Sequence, residues 1–266
     1  MINTRDKALI YLLVKNGDNP QYLLKLIASF TYYFTIHLII HMKKQFFLLF
    51  ISLVSLNASA QWIKLFDGKT FDNWHIYNHP GEPVSDKWTI KDGAMVFNPE
   101  GKSDWKVNDL VTDKDFENFE LRLEWKIEKG GNSGIFYGVK EDAKLRTPYM
   151  SGPEIQVLDN ENHPDGKNGA NRLAGSLYDM IPSKSKAKPY ENWNKVKIVK
   201  KNNVMTIWQN GELAVTFPTT GPEWDKMVAG SKFKGWDDFG KYASGKIGLQ
   251  DHRNVVSFRK IKIKEL

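Results

Sequence analysis

The chain has 266 residues, 41% of them hydrophobic and 26% charged, with no cysteine and a formal net charge of +7. Without cysteine there is no disulfide staple and no lipid anchor on a thiol, so the fold rests on a buried core, which about 200 residues are enough to supply. Six of the 38 bases and two of the 31 acids fall in residues 1–60, which leaves 32 and 29 and a net charge of only +3 for residues 61–266. The lysines at 197–201 and 259–265 alternate with apolar residues as on a solvated sheet face, and nucleic-acid binding finds no footing in the charge.

In chain order, residues 1–41 carry apolar patches, such as 32–40, but no pattern of a folded unit. Met42-Lys43-Lys44, the apolar run 45–56 and Ala58-Ser59-Ala60 form the basic start, short hydrophobic stretch and small-residue end of a secretory signal peptide. Cleavage is expected after Ala60, with Met42 as the true start and 1–41 as a mis-assigned extension. Lys25, His37 and His41 interrupt the apolar stretches and argue against membrane segments in tandem. A periplasmic or secreted protein is expected, without stable membrane association once the leader is removed.

From Trp62 onward the hydrophobic period is two. Phe119, Leu121, Leu123, Trp125 and Ile127 alternate with charged residues, which predicts a half-buried strand. Residues 87–97 read as two short strands joined at Asp92-Gly93, and 204–209 with 212–217 flank Asn210-Gly211, a strong hairpin signal. Further strands are predicted at 134–140, 154–158, 176–180, 194–200, 246–250 and 255–263, with one helical stretch at 222–228. About a dozen short strands predict an all-β antiparallel sandwich of the jelly-roll kind over 61–266, with most of the nine tryptophans in its core. The connections 98–108, 141–151, 160–174 and 219–244 are long for hairpins, and such loops are where binding groups usually sit.

The segment GPEIQVLDN, 152–160, sets Glu154 and Gln156 two residues apart on a strand, so both project from one face. An acid beside an amide is the layout of a sugar-handling wall. It is also compatible with the plain polar face of a strand.

Five blocks in order, GNSGIFYG (131–138), GPEIQVLDN (152–160), AGSLYDM (174–180), ENWNKVKI (191–198) and GKIGLQDH (245–252) followed by FRKIKIKEL (258–266), resemble the 3-keto-disaccharide hydrolase domain family, once catalogued as a domain of unknown function. The resemblance covers about 62–266. It implies a concanavalin A-like jelly roll, similar in fold to endo-β-glucanases, acting on glycosides already oxidised at C3. Retaining glucanases of that architecture carry E-x-D-x-x-E on one strand; the run here is Glu154, Gln156 and Asp159, with an amide for the middle acid and Asp159 facing the other way. Two carboxyl groups about 5–5.5 Å apart are what double displacement requires, and this strand does not supply them.

A 3-ketone acidifies the C2 proton, so a base can remove it and the C1 substituent can leave, with water addition completing a net hydrolysis. Glu154 is the first candidate base, with His252 and His163 as alternative acid or base. Gln156, Asn132, Tyr178, Arg172 and Trp236 are candidates for substrate contact, and Trp105 and Trp224 are loop tryptophans that would either stack on a sugar or cap the core. A divalent metal would also stabilise the enediolate, and Glu154, His163 and Asp165 are donors of suitable type at a spacing that matches no metal motif. Gly131, Gly134 and Gly152 read as turn residues. The family commonly has glycine after the histidine of the fifth block; here Arg253 follows. Two other function classes remain open: a non-catalytic carbohydrate-binding module and a conventional endo-β-glucanase.

Overall fold

The computed structural model describes residues 11, 14–15, 19–54, 61–103 and 106–266. The chain divides into two units, Met1–Ser59 and Ala60–Leu266. The expected cleavage point at Ala60 and the loop tryptophan Trp105 lie outside the described residues.

In the first unit a helix, α1, runs from Pro20 to Val54. Proline opens it, Asn19 Oδ1 accepts from the Gln21 amide at 3.1 Å, and no glycine or proline interrupts it afterwards. The helix crosses the expected boundary at residue 42, and 20–41 is more regular than the sequence suggests, because composition without breakers lets a turn propagate whatever its hydrophobic period. Among the described residues no helix is long and apolar enough to cross a membrane.

The second unit is a sandwich of two antiparallel sheets, whose strands we number in chain order. The larger has the order β11 (Glu212–Pro218), β10 (Val204–Gln209), β9 (Asn194–Lys201), β6 (Phe119–Ile127), β13 (Val256–Glu265), β4 (Ala94–Phe97) and β3 (Trp88–Lys91), with β1 (Ile63–Lys64) paired to β13. The smaller has the order β2 (Trp74–Ile76), β5 (Leu110–Thr112), β12 (Lys246–Leu249), β7 (Asn132–Val139) and β8 (Glu154–Leu158). Two hairpins form where Asp92-Gly93 and Asn210-Gly211 adopt positive φ (53°, 71°, 54° and 90°), the left-handed pairs that match strand twist. One apolar core fills the space between the sheets, with Trp125, Phe258 and Ile263 from the larger and Ile155, Val157 and Leu249 from the smaller.

Three expectations need correcting. Residues 176–180 are not a strand: Leu177 makes single bridges to Ile155 and Ile181, and its carbonyl accepts the amides of Met180 and Ile181, closing a turn in which Asp179 has φ 60°. Glu124 lies on the outer face as the alternation predicts, but is buried there rather than exposed, covered by Arg259 at 2.7 Å and Lys260 at 3.1 Å. Of the eight tryptophans described, only Trp74, Trp88, Trp125 and Trp224 are buried. Trp62, Trp193 and Trp208 lie on the larger sheet's outer side, where long cationic side chains cover them: Lys197 Nζ is 3.5 Å from the Trp208 ring and the Arg259 guanidinium 3.9 Å from that of Trp193. The short helix α2 (Pro222–Ala229) matches its predicted place and buries Trp224 between Phe217 and Phe239.

Candidate active site

Side-chain alternation gives the smaller sheet two unlike faces. Ile135, Ile155, Val157 and Leu249 point into the core, so their neighbours point out. The register pairs Phe136 with Glu154 and Gly134 with Gln156, and Leu249 with both Ile135 and Leu110. Continued by one residue, it sets Asp109, Gln250, Gly134 and Gln156 in one row across four strands, with the Gln250 amide donating to Gly134 O at 2.9 Å. Polar residues in the middle of a sheet, with loops folded over them, make a cleft floor.

Glu154 is 8% exposed. Burial pushes its carboxyl up to about 8, Lys232 pulling it down and Asp165 adding to the rise. Gly134 makes room for it: a Cβ there would stand 2.7 Å from Glu154 Cγ and Cδ and closer still to Oε1. The expected turn role holds for Gly131 and Gly152, whose amides close turns onto Glu128 O at 3.1 Å and Pro148 O at 2.9 Å, but not for Gly134, which lies within β7. Each is small because a neighbour fills the space, Ile127 beside Gly131 and Val139 beside Gly152.

The cleft above Glu154 has a volume of about 430 Å³. Three buried amides line it with polar atoms that have no hydrogen-bond partner among the described residues: Asn132 Oδ1, Gln156 Nε2 and Gln250 Oε1. Buried amide groups are ordinarily satisfied, so this set is poised for a polar ligand. Trp236, Phe233 and Tyr149 form an aromatic wall, with Trp236 edge-on to Phe233 at 5.3 Å and tilted to Tyr149 at 6.1 Å. Lys232 closes another side, its Nζ 4.2 Å from the centre of the Tyr178 ring; burial lowers its pKa, against the pull of Glu154.

The other candidates divide by position. Tyr178 lines the cleft, whereas Arg172 stands behind it, donating to Asp165 at 2.9 Å, to Tyr178 Oη at 3.2 Å and to Asp179 at 2.7 Å. Arg172 thus braces the residue that lines the cleft and does not line it itself. Asp179 Oδ2 also accepts the Lys232 amide at 3.0 Å, tying that loop to the same cluster. His252 lines the cleft and lies 3.4 Å from Asn132 Nδ2 through its Nε2, while His163 sits behind it with ring centroids 6.1 Å apart. Burial and the neighbouring His252 hold His163 below the usual imidazole range. His252 and Arg253 have φ of 28° and 60°, so the arginine occupies a left-handed position that glycine takes without cost.

The structure does not bring Glu154, His163 and Asp165 together as a ligand set. Asp165 is taken up by Arg172, Tyr178 and Asn168. His163 Nδ1 accepts the Asp165 amide at 3.1 Å, and no group of three His, Asp or Glu among the described residues is arranged to hold a metal. Asp159 faces away, as expected, and accepts from the Gly130 amide and Asn162 at 2.7 Å each. Trp224 belongs to the core.

Sequence reasoning missed Lys232, Phe233, Tyr149 and Gln250. The long connection at 219–244 marked the region of the first two, and the fifth block contains Gln250, but no spacing rule points to a single side chain in either. A second recess of about 370 Å³ adjoins the first, sharing Tyr149, Gln250 and His252 with it and reaching Asp109, Asp251 and Thr147.

Residues 61–264 match the family described as a 3-keto-alpha-glucoside-1,2-lyase-like domain. The chain is 41% identical to a 3-keto-disaccharide hydrolase of Bacteroides thetaiotaomicron, over 77% of this chain and 78% of that protein. It is also similar to the crystal structures of two candidate glycosyl hydrolases of Parabacteroides distasonis. One is 31% identical with a TM-score of 0.71, covering 77% of this chain and 94% of that one. The other is 25% identical with a TM-score of 0.60, covering 77% and 100%.

Proposed function

Because this chain belongs to the 3-keto-alpha-glucoside-1,2-lyase-like domain family, we propose that it is an exported enzyme that cleaves 3-keto-glycosides or 3-keto-disaccharides by C2 proton abstraction and elimination, with net hydrolysis. The hydrolase name of its Bacteroides relative supports the overall reaction. The basic, apolar and small-residue sequence at 42–60 supports export.

The observation that carries the mechanism is Glu154: one carboxyl group, buried and unshared, among amides that each keep one polar atom without a partner among the described residues. Asp159 and Asp165 are each engaged elsewhere, so the two free carboxyl groups of a retaining glycosidase are missing from this strand. A 3-keto sugar needs one base. In its ionised form Glu154 takes the C2 proton; the electron pair moves onto the C3 oxygen, where the Lys232 ammonium and the unpartnered Gln156 Nε2–H meet the developing charge. The C1–O bond then breaks and the leaving oxygen takes a proton from His252, which stands on the wall common to both recesses. Water then adds across the C1–C2 double bond: its oxygen bonds to C1, its proton goes to His252 and restores the acid, and Glu154 returns to C2 the proton it took. Asn132 and Trp236 hold the ring.

Glu154, Lys232 and His252 between them supply the base, the cation and the acid of this sequence. A carbohydrate-binding module would use the same amides but has no need of a carboxyl poised to exchange its proton near neutral pH.

The test is turnover by residues 61–266 of a 3-keto-disaccharide. Glu154 acts as base only when ionised and its pKa is raised to about 8, so with C2 proton abstraction limiting the rate kcat/KM should rise about tenfold per pH unit towards that value from below, until loss of the Lys232 ammonium, whose pKa is lowered, ends the rise. Glu154→Gln should abolish turnover while sugar still binds. Binding without turnover by the unaltered protein would refute the enzyme reading, and a rate that falls across the same pH range would make Glu154 an acid instead.

A further inference from the structure

The recess beside Glu154's cleft has no role in the steps above. We propose that it is the leaving-group subsite, and that Asp109 and Asp251 there hold a neutral, polyhydroxylated leaving group such as the second sugar of a disaccharide. This rests on the cleavage reading just given and adds which end of the substrate lies where.

The row Asp109, Gln250, Gly134 and Gln156 crosses three strand spacings of about 4.8 Å. It therefore spans about 14 Å, room for two linked rings, with Gln156 at one end and Asp109 at the other. Tyr149, Gln250 and His252 line both recesses, so they mark the junction where the scissile bond would lie. Gln250 is buried and its Oε1 has no partner among the described residues; the same is true of Thr147 Oγ1 in the second recess. Both therefore offer unfilled acceptors toward a ligand rather than toward the fold.

The acid pair is built for hydroxyl groups. Asp109 is 6% exposed, and the Asp251 amide donates to its Oδ1 at 3.2 Å. Asp251 Oδ2 in turn accepts the Asn108 amide at 2.7 Å. Burial first, then the carboxylates of Asp251 and Glu154, push Asp109 well above the usual carboxylate range. A sugar hydroxyl both donates and accepts, and two neighbouring carboxyl groups can serve it in either role. Lys106 and Arg253 at the rim offset the acid charge, which suits an uncharged ligand.

The experiment compares kcat/KM for a 3-keto-disaccharide with kcat/KM for the methyl 3-keto-glucoside, whose leaving group is too small to reach the recess. Wild type, Asp251→Asn and Thr147→Val are measured, with Asp109→Asn included if its thermal melt is unchanged. The ratio of disaccharide to methyl glucoside should fall about tenfold or more in Asp251→Asn and about threefold in Thr147→Val, as for loss of a charged and of a neutral hydrogen bond. A ratio that stays at the wild-type value overturns the proposal, whether both rates hold or both fall together. Titration of the wild type and Asp251→Asn with free glucose separates the two readings. Asp251-dependent binding in a protein that turns over neither substrate leaves the subsite standing and refutes the cleavage reading; binding indifferent to Asp251 overturns the subsite.

Discussion

Gly134→Ala is the substitution that local rules would favour and the site would reject. The backbone there has no positive φ, so alanine is accepted and even gains about 0.5–1 kcal/mol over glycine in a strand. The added Cβ, however, would stand 2.7 Å from Cγ and Cδ of Glu154, against an ordinary carbon contact of about 3.5–4.0 Å. The carboxyl must therefore move by about 1 Å. Being the end of a flexible side chain, it moves more cheaply than the sheet does, and the packing cost stays within about 1–3 kcal/mol. The net effect, about 0–2.5 kcal/mol, is a melt lowered by at most about 10 °C. Catalysis is less forgiving: about 1 Å of misplacement costs about 10²-fold. Steady-state turnover of a 3-keto-disaccharide beside a thermal melt reads both. Expected is a folded protein with kcat/KM down about 10²-fold. Activity within about threefold of wild type would show that the position of Glu154 does not set the rate, and the mechanism would fall.

His75, on the outer face of β2, lies between Asp113 at 2.6 Å and Glu141 at 3.0 Å. Burial alone would lower the ring's pKa, but Glu141 and Asp113 outweigh it and leave it raised, while His75 and the Asn78 amide hold Glu141 below its usual value against burial. The His75 contribution to stability is thus complete below about 6.5 and is lost as pH rises through the higher folded-state value. The melting temperature should decline from about pH 6 to about pH 9 by more in the wild type than in His75→Gln, and parallel curves would exclude the network as the cause. Trp236→Ala removes about 1–2 kcal/mol of contact made equally with substrate and transition state, so KM should rise about tenfold with kcat nearly unchanged; a fall in kcat alone would place Trp236 in the chemistry instead.

Much of the sandwich is legible because period-two alternation and two left-handed turn pairs are local signals. Phe119–Ile127 and Glu154–Leu158 fall where alternation and the apolar run put them. Strands β2 and β5 escape because three residues hold no full period, and 176–180 misleads because alternation does not encode the turn at Asp179. In the site, Glu154 and Gln156 could be found from one strand, since i and i+2 share a face by geometry alone. Lys232 could not, because its placement depends on a hydrogen bond to Asp179, 53 residues earlier. The role of Gly134 was hidden for the same reason: a missing side chain acquires meaning only from the strand paired beside it. Arg172 and His163 carry suitable groups but stand behind their neighbours Tyr178 and His252, which line the cleft, and no sequence pattern separates the two positions.

The outward row on the smaller sheet has a bearing on how such a protein can change. Asp109, Gln250 and Gln156 project from the side opposite the apolar packing of their own strands, which Leu110, Leu249, Ile155 and Val157 supply. Exchanging a floor residue therefore alters what the cleft recognises without opening a void between the sheets. New sugar preferences lie within reach of single substitutions that the scaffold tolerates, which makes this face a natural starting point for a combinatorial library.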